Sequence, residues 1–284
     1  MLKKIRKPYI LFSSILFISG LAILGYPFVS NLIADHNASQ VIDSYQEQVH
    51  DMEPEKIDAA KEAAKKYNEQ LSDVISVEEE KESEPINYLD MADAGMSLGY
   101  IVIPKIDVNL PIYNGIDEES LRRGVGHLEQ SSYPLGGEST HCVLTGHRGL
   151  PSALLFTDLD KLEIGDEFYL HVLDEILAYR VDQIKVVEPN ESGDLDIVEG
   201  MDYCTLVTCT PYAINTHRLL VRGIRTEYKE KQEQKVQKQM QSGSLTKRIV
   251  DVWPWLVFAF IIVFAVETFL FVLFMKRRKN RTEE

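Results

Sequence analysis

Three side chains of different chemistry stand where strand-like runs end: the thiol of Cys209, the imidazole of His147 and the guanidinium of Arg218. A thiol is mostly protonated near neutral pH, so a cysteine enzyme needs a base or a cationic partner to supply thiolate. His147, set between Gly146 and Arg148-Gly149, can be that partner and can later protonate a leaving amine. Arg218 follows Cys209 by nine residues, across a turn containing Pro211 and Asn215, so it can open the return strand beside the cysteine. Its guanidinium is always charged and rich in donors, which suits it to hold a carbonyl and stabilise an oxyanion. The set fits hydrolysis or transfer. Taken singly each residue is weak evidence, because a lone strand-end cysteine is more often structural and a lone arginine a solvated charge.

Parity separates Cys209 from the other two cysteines. Cys204 and Cys209 are five residues apart, an odd number, so on a regular strand they face opposite sides of the sheet and do not pair. Cys204 reads as a small buried hydrophobe, and so does Cys142, which the same odd interval separates from His147. Three thiols in an exported domain leave at least one free or paired with another chain, and no C-x-x-C or paired ligand spacing points to structural zinc. Of the seven histidines, His36 and His50 lie in polar helical sequence, His171 in a strand and His141 at the start of one. His127, within Gly124 to Leu128, and His217, beside Arg218, are secondary candidates for the site.

The elements that must position these groups are mostly strands. From Gly99 onward short β-branched and aromatic runs are bounded by Gly, Pro, Asp and Asn. Strands are expected at Gly99 to Ile103, Val108 to Tyr113, His141 to Thr145, Glu167 to Val172, Ile176 to Val187, Tyr203 to Cys209 and Leu219 to Arg225. Short helices are expected near Glu118 to Arg123 and Ser152 to Leu155. Many short strands with turn signals indicate a mainly β sandwich or closed barrel. Ahead of them, two polar helices are expected at Gln40 to Asp51 and Glu55 to Leu71, with apolar stripes so small that they must pack on something else. Asp73 to Ser97, with its Glu-rich run from Glu78 to Glu84, reads equally as a solvated linker or as a lid.

Of the 284 residues 45% are hydrophobic and 26% charged, which excludes a wholly disordered or collagen-like chain. Tyr9 to Ile33 holds no charged side chain and follows Lys3, Lys4, Arg6 and Lys7; Val252 to Met275 is broken only by Glu267 and precedes Lys276 to Arg281. Each exceeds the ~20 helical residues that cross a bilayer core. Basic flanks on both place both termini in the cytoplasm and the intervening chain outside the cell membrane, a two-pass topology. A cleaved signal peptide is the competing reading of the first span, but its apolar stretch is longer than such regions usually are. No role is assigned to Glu267. Between the anchors, Asp35 to Lys247 carries 20 basic and 40 acidic groups, a net of −20. Such a domain repels nucleic acid and prefers cationic or neutral partners, for instance a lysine-bearing protein.

The stretch Thr205-Leu206-Val207-Thr208-Cys209-Thr210-Pro211-Tyr212, followed by Asn215-Thr216-His217-Arg218-Leu219, resembles the cysteine and arginine signature of sortases. Leu144-Thr145-Gly146-His147-Arg148-Gly149 is similar to their histidine segment, and the likeness extends from about Gly99 to Arg225. The second span, basic tail and helical extension resemble class C, the pilin-polymerising sortases. One feature departs from that class: no Asp-Pro-aromatic lid tripeptide occurs between Pro85 and Ser97, which puts autoinhibition in doubt.

The resemblance implies a closed eight-stranded sortase-type β-barrel at 99–228, with Cys209, His147 and Arg218 converging at one rim. The expected organisation around it is a basic end and anchor at 1–34, a helical extension with a lid or linker at 35–98, a linker at 229–251, a second transmembrane helix at 252–275 and a basic tail at 276–284. It further implies a cysteine transpeptidase that cleaves an L-P-x-T-G-like sorting signal between Thr and Gly and joins the acyl group to a Lys of the next pilin subunit. Pilins and the lipid bilayer are then the partners, with no nucleic acid. The chemistry requires no metal or cofactor; calcium assists some housekeeping members, and the many carboxylates leave a weak calcium site open. Alternatives are wall anchoring through a peptidoglycan-precursor amine, a plain thiol hydrolase, and a non-catalytic pilus assembly module.

Overall fold

The computed structural model describes residues 6–76 and 97–229. The expected second span, the basic tail and most of the lid-or-linker segment lie outside these residues. Among the described residues one helix, near the N-terminus, is long and apolar enough to cross a membrane.

That helix, α1 (Arg6–Asp51), corrects the expectation of a separate helix starting at Gln40. After Pro27 the chain meets neither Gly nor Pro until Pro54, so nothing ends the helix between the apolar stretch and the polar extension. Its outer part exposes Leu16, Ile18, Ile23 and Leu24, whereas Ala38, Ile42 and Tyr45, one helical face, are buried. The Tyr45 hydroxyl accepts from Leu173 N (2.6 Å) and donates to Leu98 O (3.2 Å). Pro54 opens α2 (Pro54–Ser76), which buries Ala64 and Asn68. The Asn68 amide accepts from Tyr133 N (2.6 Å) and donates to Tyr133 O (3.3 Å). Both polar helices thus pack on the domain that follows, as their narrow apolar stripes required.

Eight strands follow: β1 (Gly99–Ile103), β2 (Val108–Asn114), β3 (Val125–His127), β4 (Thr140–Thr145), β5 (Glu167–Val172), β6 (Glu175–Val187), β7 (Asp202–Thr210) and β8 (His217–Thr226). They close into a barrel in the order β1-β2-β3-β4-β7-β8-β6-β5, which settles the choice between sandwich and barrel. Closure leaves no strand edge unpaired. Pairs β2/β3 and β4/β7 are parallel and the others antiparallel. Strand β3 was not expected, because three residues with a central glycine are too short to display alternation. A helix at Ser152 to Leu155 was expected and is absent: Leu155 takes φ 42°, which ends helical continuation, and a single 3-10 turn forms later at Leu159–Lys161. The expected helix Glu118–Arg123 is present as α3, its Asp117 side chain capping the Glu119 and Ser120 amides.

Alternate residues of each wall fill the interior. Cys142 and Leu144 of β4, Cys204 and Leu206 of β7, and Leu219 and Val221 of β8 belong to the core with Phe156, Phe168 and Tyr179. Gly223 continues this inward series, and a Cβ there would stand 2.6 Å from the Phe168 ring, so the position demands glycine. Cys142 and Cys204 are register partners, both free and buried as their strand context predicted.

Candidate active site

The inward series of β7 and β8 leaves the intervening residues on the outer face of the barrel wall. Cys209 and Arg218 both belong to that outer series, and they are register partners across the β7/β8 pair. Directly paired residues project from the same side of a sheet, so thiol and guanidinium share one face. Both are half-buried. Each strand runs one or two residues further than the sequence suggested, so Cys209, expected as the last residue of its strand, has one more ladder pair beyond it, and Arg218, expected just ahead of its strand, lies within the ladder.

His147 reaches this face from the neighbouring strand. In the parallel β4/β7 pair Thr145 partners Val207. Beyond β4, Gly146 N donates to Val207 O (3.1 Å) and the buried Thr208 hydroxyl donates to Gly146 O (2.7 Å). These bonds carry the chain on beside β7, so that His147 arrives level with Cys209, two residues beyond the last ladder pair. His147 keeps 29% of its side chain exposed, yet its Nε2 is shielded from solvent and makes no hydrogen bond. Glu118 Oε2, at the start of α3, stands 3.8 Å from that nitrogen. The Arg122 guanidinium, bonded to Glu118 Oε1 at 2.8 Å, holds the Glu118 carboxyl below the ordinary range. Glu118 was not singled out in the sequence; it lies in a solvated helix 29 residues from His147, with no local signal to join them.

Below the cysteine the outer face is filled. Asp182 receives Arg222 Nε (3.0 Å) and Nη2 (2.7 Å), and that guanidinium lies 4.1 Å over the Tyr203 ring. His141 Nδ1 meets Asp196 O (2.8 Å) from the β6–β7 connection, and its Nε2 meets the Thr205 hydroxyl (2.7 Å). Burial holds the His141 pKa below its ordinary value, keeping the ring neutral. These contacts close the lower part of the wall and leave the Cys209 end accessible.

The two secondary histidines fare differently. His127 is fully buried, with Nε2 against Ser132 O (3.0 Å) and the Ser131 hydroxyl (3.2 Å), so it is a core group away from the site. His217 is exposed, opposite Thr210, with Nδ1 and the Thr216 hydroxyl 2.9 Å apart. In this structure Arg218 Nη1 donates to Asn215 O (3.4 Å) and His217 O (3.2 Å), so the guanidinium rests on its own turn. A thiol, an imidazole and a guanidinium on one outer face, with apolar strands behind them, can bind an extended peptide and transfer an acyl group.

Known proteins resemble this chain in sequence and fold. Residues 101–226 match the family model described as Sortase domain. A curated relative, sortase D of Bacillus subtilis, is 30% identical over 154 residues, 54% of this chain and 73% of that protein. The chain belongs to the sortase family. Among solved structures, sortase C1 of GBS pilus island 1 aligns with 44% identity over 68% of this sortase and 100% of that chain, with a TM-score of 0.63. A Clostridium perfringens sortase C, solved with a C-terminal cell wall sorting motif, aligns with 47% identity over 67% of this chain and 100% of its own, with a TM-score of 0.61. This sortase is therefore a cysteine transpeptidase that acts on sorting signals by acyl transfer, and its solved relatives are of class C.

Proposed function

We propose that this sortase polymerises pilins, with Cys209 as nucleophile, His147 as general acid and base, and Arg218 as oxyanion stabiliser. The register pairing of Cys209 with Arg218, beside the strand that delivers His147, is the observation that carries the assignment. The class C likeness, including a relative from a pilus island, supports the choice of substrate.

Cys209 thiolate attacks the carbonyl carbon of Thr in an L-P-x-T-G-like signal, and the electron pair moves onto oxygen. Arg218 leaves its turn carbonyls to receive that oxyanion. As the Thr–Gly C–N bond breaks, protonated His147 gives its proton to the departing amine, leaving a thioacyl enzyme. A pilin Lys then attacks the thioester, His147 takes the ammonium proton, and the thiolate departs as the isopeptide bond forms. The net −20 charge of Asp35 to Lys247 favours the approach of such a cationic acceptor. Two membrane spans, the first within α1 and the second at Val252 to Met275, would hold the barrel at the outer surface where membrane-held pilins meet it.

The test mixes the full chain in lipid nanodiscs with recombinant pilin, wild type against Cys209→Ala, read by denaturing gel and mass spectrometry. A Cys209-dependent ladder with Thr-to-Lys isopeptide links is the expected result. Cleavage without a ladder would redirect the reading to wall anchoring or hydrolysis, and a ladder that persists in the alanine variant would sink the catalytic assignment.

A further inference from the structure

Arg148 follows His147 in the chain, and Thr210 follows Cys209. The Arg148 side chain is only 7% exposed. Its Nη1 donates to the Thr210 hydroxyl (3.1 Å), and its Nη2 donates to Asp160 Oδ2 (2.5 Å). Asp160 sits in the 3-10 turn at Leu159–Lys161, whose Leu159 is fully buried in the core, so one end of the bridge is fixed to the barrel interior. The next residue is held as well. Gly149 N donates to the Thr157 hydroxyl (3.2 Å), and at φ 77° a Cβ on Gly149 would stand 3.1 Å from the Tyr212 ring.

Stability alone does not account for this arginine. The Asp160 carboxylate is 47% exposed, so solvent screens its pair with Arg148 and the pair adds little, while Arg148 Nε is shielded with no hydrogen-bond partner, a cost. What the planar fork supplies is geometry, since one rigid group holds two segments in a fixed relative orientation that a flexible lysine stem does not impose. One of those contacts spans 62 residues of sequence and joins the neighbours of the two reacting side chains.

We propose that Arg148 is a positioning residue for the transfer reaction, locking the His147 segment to the Cys209 strand end through Thr210 and thereby setting the spacing of imidazole and thiol. The inference rests on the catalytic roles given above. A displacement of about 1 Å between reacting groups can cost about a hundredfold in rate, so a single bond controlling that spacing is expected to act on kcat.

The experiment measures steady-state cleavage of a sorting-signal peptide by the full chain in nanodiscs, together with thermal unfolding. The variants are Thr210→Val, Thr210→Ser, Arg148→Lys, the Arg148→Lys/Thr210→Val double and Cys209→Ala. Thr210→Val removes the acceptor and leaves the Asp160 pair; it is expected to lower kcat about tenfold, with KM within about twofold and unfolding almost unmoved. Thr210→Ser, which keeps the hydroxyl, restores kcat. The double variant is no slower than Arg148→Lys alone, because both changes cut the same link. A Thr210→Val enzyme with unchanged kcat, failure of serine to rescue, or additive losses would each overturn the positioning role while leaving the catalytic assignment standing. A wild type that cleaves no better than Cys209→Ala overturns both.

Discussion

Asn68 offers a quantitative probe of how the helical extension is attached. Asn68 and Tyr133 are both buried, and the amide satisfies both backbone groups of Tyr133. Asn68→Ala strands the buried Tyr133 N–H, whereas the Tyr133 carbonyl still accepts from Leu135 N (2.7 Å), so the cost is that of one unmet buried donor, about 1–3 kcal/mol. Of the other ties of α2, the Tyr67 hydroxyl donates to Glu129 O, while the Lys61 pairs with Asp174 and Glu175 join carboxylates that are 52% and 44% exposed, which places those pairs in the weak surface class. The loss falls on docking of α2 rather than on the barrel, whose ladders do not pass through Asn68. Amide exchange in Pro54–Ser76 should therefore quicken by about fivefold to a hundredfold, at about 1.4 kcal/mol per factor of ten, while β7 and β8 stay protected. Hydrogen exchange read by mass spectrometry on the full chain decides it. Unchanged exchange in α2, or an equal rise across barrel strands, would refute the reasoning.

Arg218→Lys keeps a charge but not the fork; kcat for sorting-signal cleavage should fall by about 10²–10³ with intact unfolding behaviour, and near-wild-type kcat would remove Arg218 from the oxyanion role. Gly223→Ala forces a methyl into Phe168 and Tyr179, and denaturant unfolding should register a loss of about 1–3 kcal/mol. For His141 the folded-state pKa is depressed, first by burial, so its contribution is complete above the ordinary 6.5 and is lost as pH falls from there towards the folded value. Stability should drop across that window by at most about 1.4 kcal/mol per pH unit, a slope that His141→Gln abolishes; equal slopes in the two proteins would exclude His141 as its source.

Most barrel strands were legible because each is a run of five or more residues rich in β-branched and aromatic types between turn residues, and composition is a local property. Strand β3 was not, being three residues long. The α1 boundary failed for a related reason: hydropathy changes at Asp35, but backbone geometry does not, and only a Gly, a Pro or a competing cap ends a helix. His141 was read at the start of a strand and His127 as a secondary candidate for the site, and the fate of each depended on what covered it. His127 met Ser131 and Ser132 in the core, whereas His141 met a carbonyl from the β6–β7 connection on the outer face.

The sequence by itself determined the chemistry available, the parity that sets Cys209 apart from Cys142 and Cys204, the mainly β texture and the apolar N-terminal span. These depend on residue type and on periods of two or three to four residues, which any reader of the chain can count. Only the tertiary structure decided that the barrel closes, that β4 runs parallel to β7, and that the reactive groups share its outer face. It also decided that Arg148, Thr210 and Asp160 join into one bridge and that Glu118 stands against the shielded nitrogen of His147. Those are pairings between segments 12 to 62 residues apart, set by strand order and by what the core must bury, and no local pattern in the chain encodes them.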